Sequence, residues 1–444
     1  MIKRADLVEL ISNAEIKTLD IKSIIFDKSL YSRTGGIDRN AVEDYSKNII
    51  TMPPIVINQN NKIVDGVHRY HACLKADQQS MNVKQIELPD EDIKLANLLI
   101  DIQSGVRHPL QDKQSIVIDL YDPQKTEQNK MLMDELEVPE RTFFRWTAEK
   151  RSLMQKQVNQ AIAIDLLNPY ITQQEIAEQN GYKSKSKISE FKNDLCSKIA
   201  NVAEIEREKL QEADLDFLIE YKEFVENDLL LYNIWNSAKG DNNSHFGHFP
   251  VLFMKNLLYY HTEPFDLVYD PFAGSGTTID ACREMYRQCI VSDRKPDKSR
   301  PEIFEHDITK GLPDGMPKPD LAFLDPPYWK QAEGKYSDSA SDLANMSLDD
   351  FYGAMDKLFN ELTGRSVKRI ALVIAPTQYA NDLKFEDHIF KFDKMLDNKY
   401  EIEMRYILPY STQQYNGMQV EIAKENNICL SINRDLVIWR LNER

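Results

Sequence analysis

The nine residues Asp270-Pro-Phe-Ala-Gly-Ser-Gly-Thr-Thr278 narrow the folds open to this chain more than any other feature. They follow the apolar run FDLVY and lead directly into the helical pattern TTIDACREMY. Glycines at 274 and 276 let the backbone turn tightly and approach a ligand that side chains would exclude, while the next helix start offers free N–H groups. A strand, glycine turn and helix in that order suit a doubly wound sheet with a small polar cofactor at the turn. Taken alone, the turn fits a generic nucleotide site or a purely structural corner equally well.

The flanking sequence sharpens this reading. Strand-like runs (FDLVYD, CIVSD, LAFLD, RIALVIAP, EMRYIL, DLVIWRL) alternate with helical patterns from about residue 245 onward. The run CIVS ends in Asp293, an acid about twenty positions beyond the glycine turn and so placed to accept hydrogen bonds from ribose hydroxyls. Asp307, after a further short element, is a candidate partner for an adenine amino group. The run PDLAFL then enters Asp325-Pro-Pro-Tyr-Trp329. Two prolines after a buried strand cannot donate ladder bonds, so the chain leaves the sheet there and presents a carboxylate, bare carbonyls and an aromatic face together. Asp325 and the Pro326 carbonyl can accept both N–H bonds of an exocyclic amine, with Tyr328 stacked on an extruded base. Trp329 fits a pocket wall or the core. Such chemistry requires neither a metal nor a covalent intermediate.

DPFAGSGTT followed by DPPYW resembles the two defining motifs of the amino-methylating (N6-adenine/N4-cytosine) DNA methyltransferases, over roughly residue 245 to the C-terminus. The resemblance implies a Rossmann-like domain that uses S-adenosylmethionine. It places Asp270, Pro271, Phe272, Ala273, Gly274, Ser275, Gly276, Thr277, Thr278, Asp293 and Asp307 at the cofactor, and Asp325, Pro326, Pro327 and Tyr328 at the reaction. His248-Phe249-Pro250 resembles the family's first cofactor-side motif, with Phe253 as an extension, so Phe249 and Pro250 join the cofactor set. The motif order is that called gamma, but only a short stretch follows the YILPYS strand where a target-recognition region is usual. DPPY is commoner with adenine acceptors and a leading serine with cytosine, so adenine N6 is preferred over cytosine N4. The stretch Tyr410–Gly417 fits a base-pocket wall or a polar surface loop.

In the N-terminal half, IVIN and KIVDG read as strands around the helical stretch AVEDYSKNI and the segment Ile63-Val-Asp-Gly-Val-His-Arg-Tyr-His-Ala72. Gly66 turns the chain into a helix start beside His68 and Arg69, a corner that suits an anion. The pattern, with Gly105-Val-Arg-His-Pro-Leu110, resembles the ParB/sulfiredoxin-like domain over roughly residues 15–115. That resemblance implies a nucleotide, CTP or ATP, at Gly66, His68 and Arg69. Partition-type proteins usually carry Glu-Arg-Arg after the glycine, whereas Val67-His68-Arg69 stands here, which disfavours hydrolysis. A structural role for Arg69 stays open. His68 and His71 have no carboxylate at ligand spacing, so no metal site is expected.

Residues 91–228 read as almost wholly helical and hold two helix-turn-helix candidates. Met131–Trp146 turns Arg141, Thr142 and Arg145 outward, with Lys150 and Arg151 behind them; Ile171–Tyr182 turns at Gly181 into Lys183, Ser184, Lys185, Ser186 and Lys187. A net charge of −16 argues against broad attraction to phosphate, so contact with double-stranded DNA falls to these local cations. Plain helical hairpins with solvated faces are the alternative.

The expected organisation is α/β multidomain: residues 1–115, a helical region 116–228, and 245–444, with the polar loop Asn227–Gly247 as main boundary. Five scattered cysteines, no apolar run of membrane length and an early acidic interruption of the N-terminus suggest a cytoplasmic, nucleoid-associated protein. A homodimer and a restriction-enzyme or mobile-element partner are left open. The competing reading from another class is a ParB-like DNA-binding or partition factor with a non-catalytic S-adenosylmethionine-binding half, and a third is an RNA or protein-amide acceptor.

Overall fold

All six apolar runs marked above form strands in the computed structural model, which describes the chain apart from residues 106–108, 207–215, 237–248, 333–338, 340, 380–382, 410–414 and 443–444. The chain divides into two compact units, Met1–Gln155 and Lys156–Arg444.

In the first unit β1 (Ile16–Asp20), β2 (Ile55–Asn58), β3 (Ile63–Asp65) and β4 (Ser80–Ile86) form one sheet in the order β1-β4-β2-β3. Only β2 and β4 run parallel within it. Ile55, Ile57 and Val83 bury one face, while Val56, Val64 and Ile86 meet the helix Ile93–Gln103 on the other. The helix pair Thr126–Glu135 and Glu140–Trp146 adds Leu132, Phe143 and Trp146 to that second core.

The second unit is built on β5 (Leu267–Asp270), β6 (Gln288–Asp293), β7 (Phe304–Glu305), β8 (Leu321–Leu324), β9 (Arg369–Ile374), β12 (Tyr400–Pro409) and β13 (Asn433–Leu441). Their order is β12-β13-β9-β8-β5-β6-β7, and β10 (Thr377–Tyr379) pairs separately with β11 (Lys384–Glu386). The run from β9 to β7 is parallel, whereas β13 lies antiparallel to both its neighbours. Burial on both faces explains why these strands read as near-continuous apolar runs. Val268, Phe323, Val373 and Leu436 face the helix Val251–His261, while Tyr269, Leu324, Leu372 and Val437 face the helices Leu348–Gly364 and His388–Leu396. No described helix is long and apolar enough to cross a membrane.

Two sequence expectations about organisation differ from this arrangement. The helical stretch 116–228 is shared between the units, because its later part buries Ile162, Ile176, Ile188, Leu195 and Phe224 in the core beneath β8 and β9. Nor is the stretch from Asn227 a boundary as far as the structure describes it. Trp235 is fully buried with its ring 4.1 Å from that of Tyr406. Its backbone N–H donates to the Ile407 carbonyl at 2.9 Å, and Ile407 N–H donates to Asn233 at 2.8 Å, so this segment edges the sheet beside β12. Polar composition flagged a connecting loop, and one aromatic anchor overrode it. Trp235→Ala is therefore expected to cost about 3–5 kcal/mol in urea unfolding, as for a core aromatic; a change near zero would return the segment to the status of a linker.

Candidate functional site

The glycine corner is held by a buried carboxylate. Asp270, at the end of β5, accepts the Phe272 N–H at 2.8 Å and the Thr278 hydroxyl, which ties both ends of the turn to one side chain. Burial pushes this carboxyl up to about 7 despite those two donors. Gly274 and Gly276 both have positive φ, +51° and +88°. Outside the turn, Arg300 bonds bidentately to Asp280 at 2.9 and 3.1 Å and reaches the Ser275 carbonyl at 3.3 Å. A Cβ on Gly276 would lie 2.9 Å from its guanidinium carbon.

Two further acids stand where strand spacing placed them. Asp293, at the end of β6, accepts Gly274 N–H at 3.0 Å and Lys295 N–H at 2.8 Å, one on each oxygen. Each carboxylate oxygen keeps a second lone pair for a ligand. Asp307 accepts the Thr309 N–H and hydroxyl at 3.1 and 2.7 Å, with Arg294 Nε 3.6 Å away. Burial pushes the Asp307 carboxyl up, but those donors and Arg294 outweigh it and hold the group below the ordinary range.

The second motif leaves β8, the strand beside β5. Asp325 accepts the Tyr328 hydroxyl on Oδ1 at 3.0 Å, and Oδ2 has no hydrogen bond among the described residues. Burial pushes this carboxyl up to about 6, opposed by the charge of Arg434 and the Tyr328 bond. Trp329 is core: it is buried and donates its indole N–H to the Met346 carbonyl at 2.9 Å.

A cavity of about 620 Å³ brings the two motifs together. Its walls include Asp270, Pro271, Phe272, Ala273, Gly274, Ser275, Thr277 and Thr278, with Asp293, Asp307, Asp325, Pro327 and Phe249. Gly276, Pro250, Pro326 and Tyr328 lie outside the lining: Gly276 and Pro250 precede the first turns of helices Thr277–Glu284 and Val251–His261, and Tyr328 packs into both cores. Phe253 is core, its ring 6.0 Å from that of Phe249, and His248 falls outside the described residues. Sequence reasoning missed Arg294, Thr309, Phe323, Ser341 and Asp342, which also line the cavity. Arg294 donates to Ser341 at 2.8 Å, joining the loop after β6 to the segment after Trp329. Only Phe323, inside an apolar strand, had a local sequence signal.

A family model described as a DNA methylase, of the N6/N4 type, matches residues 48–300, more than half of the chain. The chain belongs to that DNA methylase family. No curated protein matches it. Among solved structures, TrmN from Thermus thermophilus is 13% identical at a TM-score of 0.28, the match covering 43% of this chain and 49% of that one. A SAM-dependent O-methyltransferase from Thermotoga maritima is 13% identical at 0.26, covering 50% and 71%. C-terminally truncated ParB from Caulobacter crescentus, complexed with CTP-gamma-S, is 16% identical at 0.19, covering 47% and 87%.

Elsewhere in the chain, Gly66 turns the backbone from β3 into the helix Val67–Lys75. Gly66 has φ +94°, and a Cβ there would meet the Ile55 side chain at 2.5 Å. Arg69 donates to the Pro53 and Pro54 carbonyls at 3.1 and 2.9 Å and to Asp65 at 2.6 Å, so a phosphate would have to draw it from three partners. His68 Nε2 accepts the Asp38 N–H at 3.0 Å, and burial pulls its pKa down. Arg107 and His108 lie outside the described residues. Among those residues no group of three or more His, Cys, Asp or Glu side chains is arranged to hold a metal.

Both helix pairs of the methylase also form. In the first, Arg141 and Arg145 are exposed and Thr142 half-buried, whereas Lys150 is turned to the Ile118 and Asp119 carbonyls. In the second, Gln173–Gln179 and Ser186–Ala200 flank an exposed run from Lys183 to Lys187, Lys187 paired with Glu190 at 2.8 Å. Of the stretch Tyr410–Gly417, Tyr410–Gln414 lie outside the described residues, and Tyr415 bonds Gln378 and the Ser431 carbonyl at 3.2 and 2.9 Å.

The two glycines of the corner are separable by substitution. Gly276→Ala adds left-handed strain and displaces Arg300, so it is expected to lower stability to urea by about 1–3 kcal/mol. Gly274→Ala, with no atom nearer than 3.9 Å to the new methyl, should cost about 1 kcal/mol. Equal losses would show that the Arg300 contact contributes nothing.

Proposed function

We propose that this chain transfers the methyl group of S-adenosylmethionine to the exocyclic amine of a base in double-stranded DNA, adenine N6 in preference to cytosine N4. The observation that carries this reading is the single cavity whose wall contains the glycine corner, Asp293, Asp307 and Asp325. Its volume suits one cofactor-sized ligand. Among the described residues six carboxyl groups line it, of Asp270, Asp293, Asp297, Asp307, Asp325 and Asp342, against Arg294 and Lys295. Such a wall opposes a polyphosphate and favours a ligand with a cationic centre. The bound donor supplies a methyl group already activated on a positive sulfur.

The chain's own residues do the rest. Asp293 offers lone pairs to ribose hydroxyls, Asp307 an acceptor to the adenine amino group, and the glycine corner lets backbone pass close to both. Asp325 Oδ2 and the Pro326 carbonyl accept the two N–H bonds of an amine on a base drawn out of the duplex, which aims the nitrogen lone pair into the cavity. As the N–C bond forms and the S–C bond breaks, the amine loses a proton, and an ionised Asp325 is placed to receive it. Only an ionised Asp325 can take that proton, so activity is expected above about pH 6 and lost as pH falls through that value.

Tritiated methyl transfer to genomic DNA, followed by digestion to nucleosides and mass measurement, tests the reading. N6-methyladenine is the expected product; N4-methylcytosine alone would overturn the adenine preference. No transfer by a chain that binds the donor would favour the partition-type alternative. Asp325→Ala should retain donor binding and lose about 100-fold or more in rate, the usual cost of removing a group that acts at the reacting centre.

Duplex binding is assigned to the exposed cations of the helix pairs, Arg141 and Arg145, with the Thr142 hydroxyl, in one unit and Lys183, Lys185 and Lys187 in the other. Replacing the three lysines by alanine should weaken binding across sequences and flatten the dependence of log K on log salt by about 3. An unchanged slope would return Lys183–Lys187 to a solvated turn.

A further inference from the structure

We propose that Arg434 is a positioning residue for the transfer, its guanidinium reaching over the end of β9 to hold Asp325 in the form that accepts the amine. This rests on the methyltransferase reading above and adds a residue that neither motif contains.

The pleat places the two groups together. Side chains alternate along a strand, and Phe323, Val373 and Leu436 share the core on the face that Phe249 covers. Two residues beyond Phe323 is Asp325, two beyond Val373 is Ala375, and two before Leu436 is Arg434. β8 runs parallel to β9, with Leu324 opposite Leu372, and β13 runs antiparallel to β9, with Asp435 opposite Ile374. Continuing these registers sets Asp325 level with Val373 and Arg434 level with Ala375, so the two groups share one face at the same end of the sheet, staggered by two residues along the strands. Adjacent strands lie about 4.8 Å apart and two residues advance about 7 Å, so Arg434 and Asp325 start about 12 Å apart on the diagonal across β9. An extended arginine and a carboxylate together span that diagonal, and Ala375, the neighbour that Arg434 must pass on β9, is small enough to let it through.

The surroundings agree with the register. The Arg434 guanidinium carbon lies 6.0 Å from the centroid of the Phe249 ring, and Phe249 lines the cavity together with Asp325. An aromatic face suits a guanidinium, which is weakly hydrated and charged at every relevant pH. The groups facing Asp325 are the Tyr328 hydroxyl from its own segment, Asp270 from β5 and Arg434 from β13. Asp270 and burial both favour a proton on Asp325, and Arg434 opposes them. Without it, Asp325 would carry its proton into the range where the enzyme is expected to work, and a protonated carboxyl offers the amine a poorer acceptor.

The test is kcat/KM for DNA methylation between pH 5 and 9 in the full chain, for the unmodified protein, Arg434→Met and Arg434→Lys. The acid limb of Arg434→Met is expected to move up by about one pH unit, a roughly threefold loss at pH 6.5 that approaches tenfold near pH 5 and recovers as pH rises. Arg434→Lys keeps the charge and should keep the limb. A limb unmoved in Arg434→Met, or moved equally in both variants, overturns the proposal. Should Arg434→Met fail to fold, Ala375→Met fills the gap while keeping the arginine and is expected to shift the limb likewise; an unshifted limb there counts against the proposal. Absence of transfer by the unmodified protein would instead sink the methyltransferase reading itself.

Discussion

The parallel pairing of β5 with β8, Tyr269 opposite Ala322, is the constraint on which the site depends. Strand order reverses at β5: β6 and β7 build outward on one side, β8 and β9 on the other. Chain leaving β5 and β8 thus opens away from a shared crevice at the carboxyl ends of the strands, where doubly wound sheets bind their ligands. Nothing in either motif alone makes a pocket. A slip of one residue in this pair would turn Asp270 or Asp325 to the opposite face, because successive side chains alternate. The buried rows on both sides of β5 and β8 oppose such a slip.

That geometry also sets the electrostatics. A chain with a net charge of −16 gathers six carboxylates around one cavity, and burial raises the proton affinity of two of them. Arrangements of this kind destabilise the empty protein and are compensated by a cationic ligand. Cations are correspondingly local. Arg300 is spent on Asp280 behind the glycine turn, and Arg369 on Glu403 at 2.7 and 3.0 Å on the opposite edge of the sheet, while the exposed lysines gather at the 183–187 turn.

The legible parts of the sequence were those whose chemistry is settled by near neighbours. The glycine turn, the double proline, and an acid one strand beyond the turn each follow from what a few consecutive residues can do, so Gly274, Asp293 and Asp325 could be singled out, and the fold sets all three in one cavity wall. Strand positions followed from burial, as with LAFL and RIALVI. What stayed hidden depends on partners far along the chain. Trp235 sits in a segment whose composition says loop, and only its distant partner Tyr406 makes it core. Arg300, Thr309 and Ser341 look like ordinary loop residues until the sheet brings them to the corner. The antiparallel insertion of β13 between β9 and β12 left no mark on its apolar pattern, so the neighbourhood of Arg434 could not be read. The helical middle failed as a domain for the same reason: its period declares helices and is silent on which core takes them.

Asp270 and Asp325 end adjacent strands in the same wall, and burial lifts both, yet their hydrogen bonds give them different work. Both oxygens of Asp270 are engaged inside the protein, by Phe272 N–H and the Thr278 hydroxyl, so this carboxylate serves the shape of the corner. Asp325 is engaged on one oxygen by Tyr328, and its other oxygen has no hydrogen bond among the described residues. A carboxylate with a fixed orientation and an available lone pair is what an amine acceptor requires, whereas one saturated by its own fold cannot take part without undoing the turn. Protonation strikes the two differently as well. At Asp325 it removes the ionised acceptor from the chemistry; at Asp270, pushed up to about 7, the folded chain holds the proton more tightly than the unfolded one, so protonation relieves a buried charge and stability is lost as pH rises through that value. The same burial that shapes the cavity therefore pulls in two directions: reactivity at Asp325 requires pH above about 6, while the buried Asp270 favours the fold at lower pH.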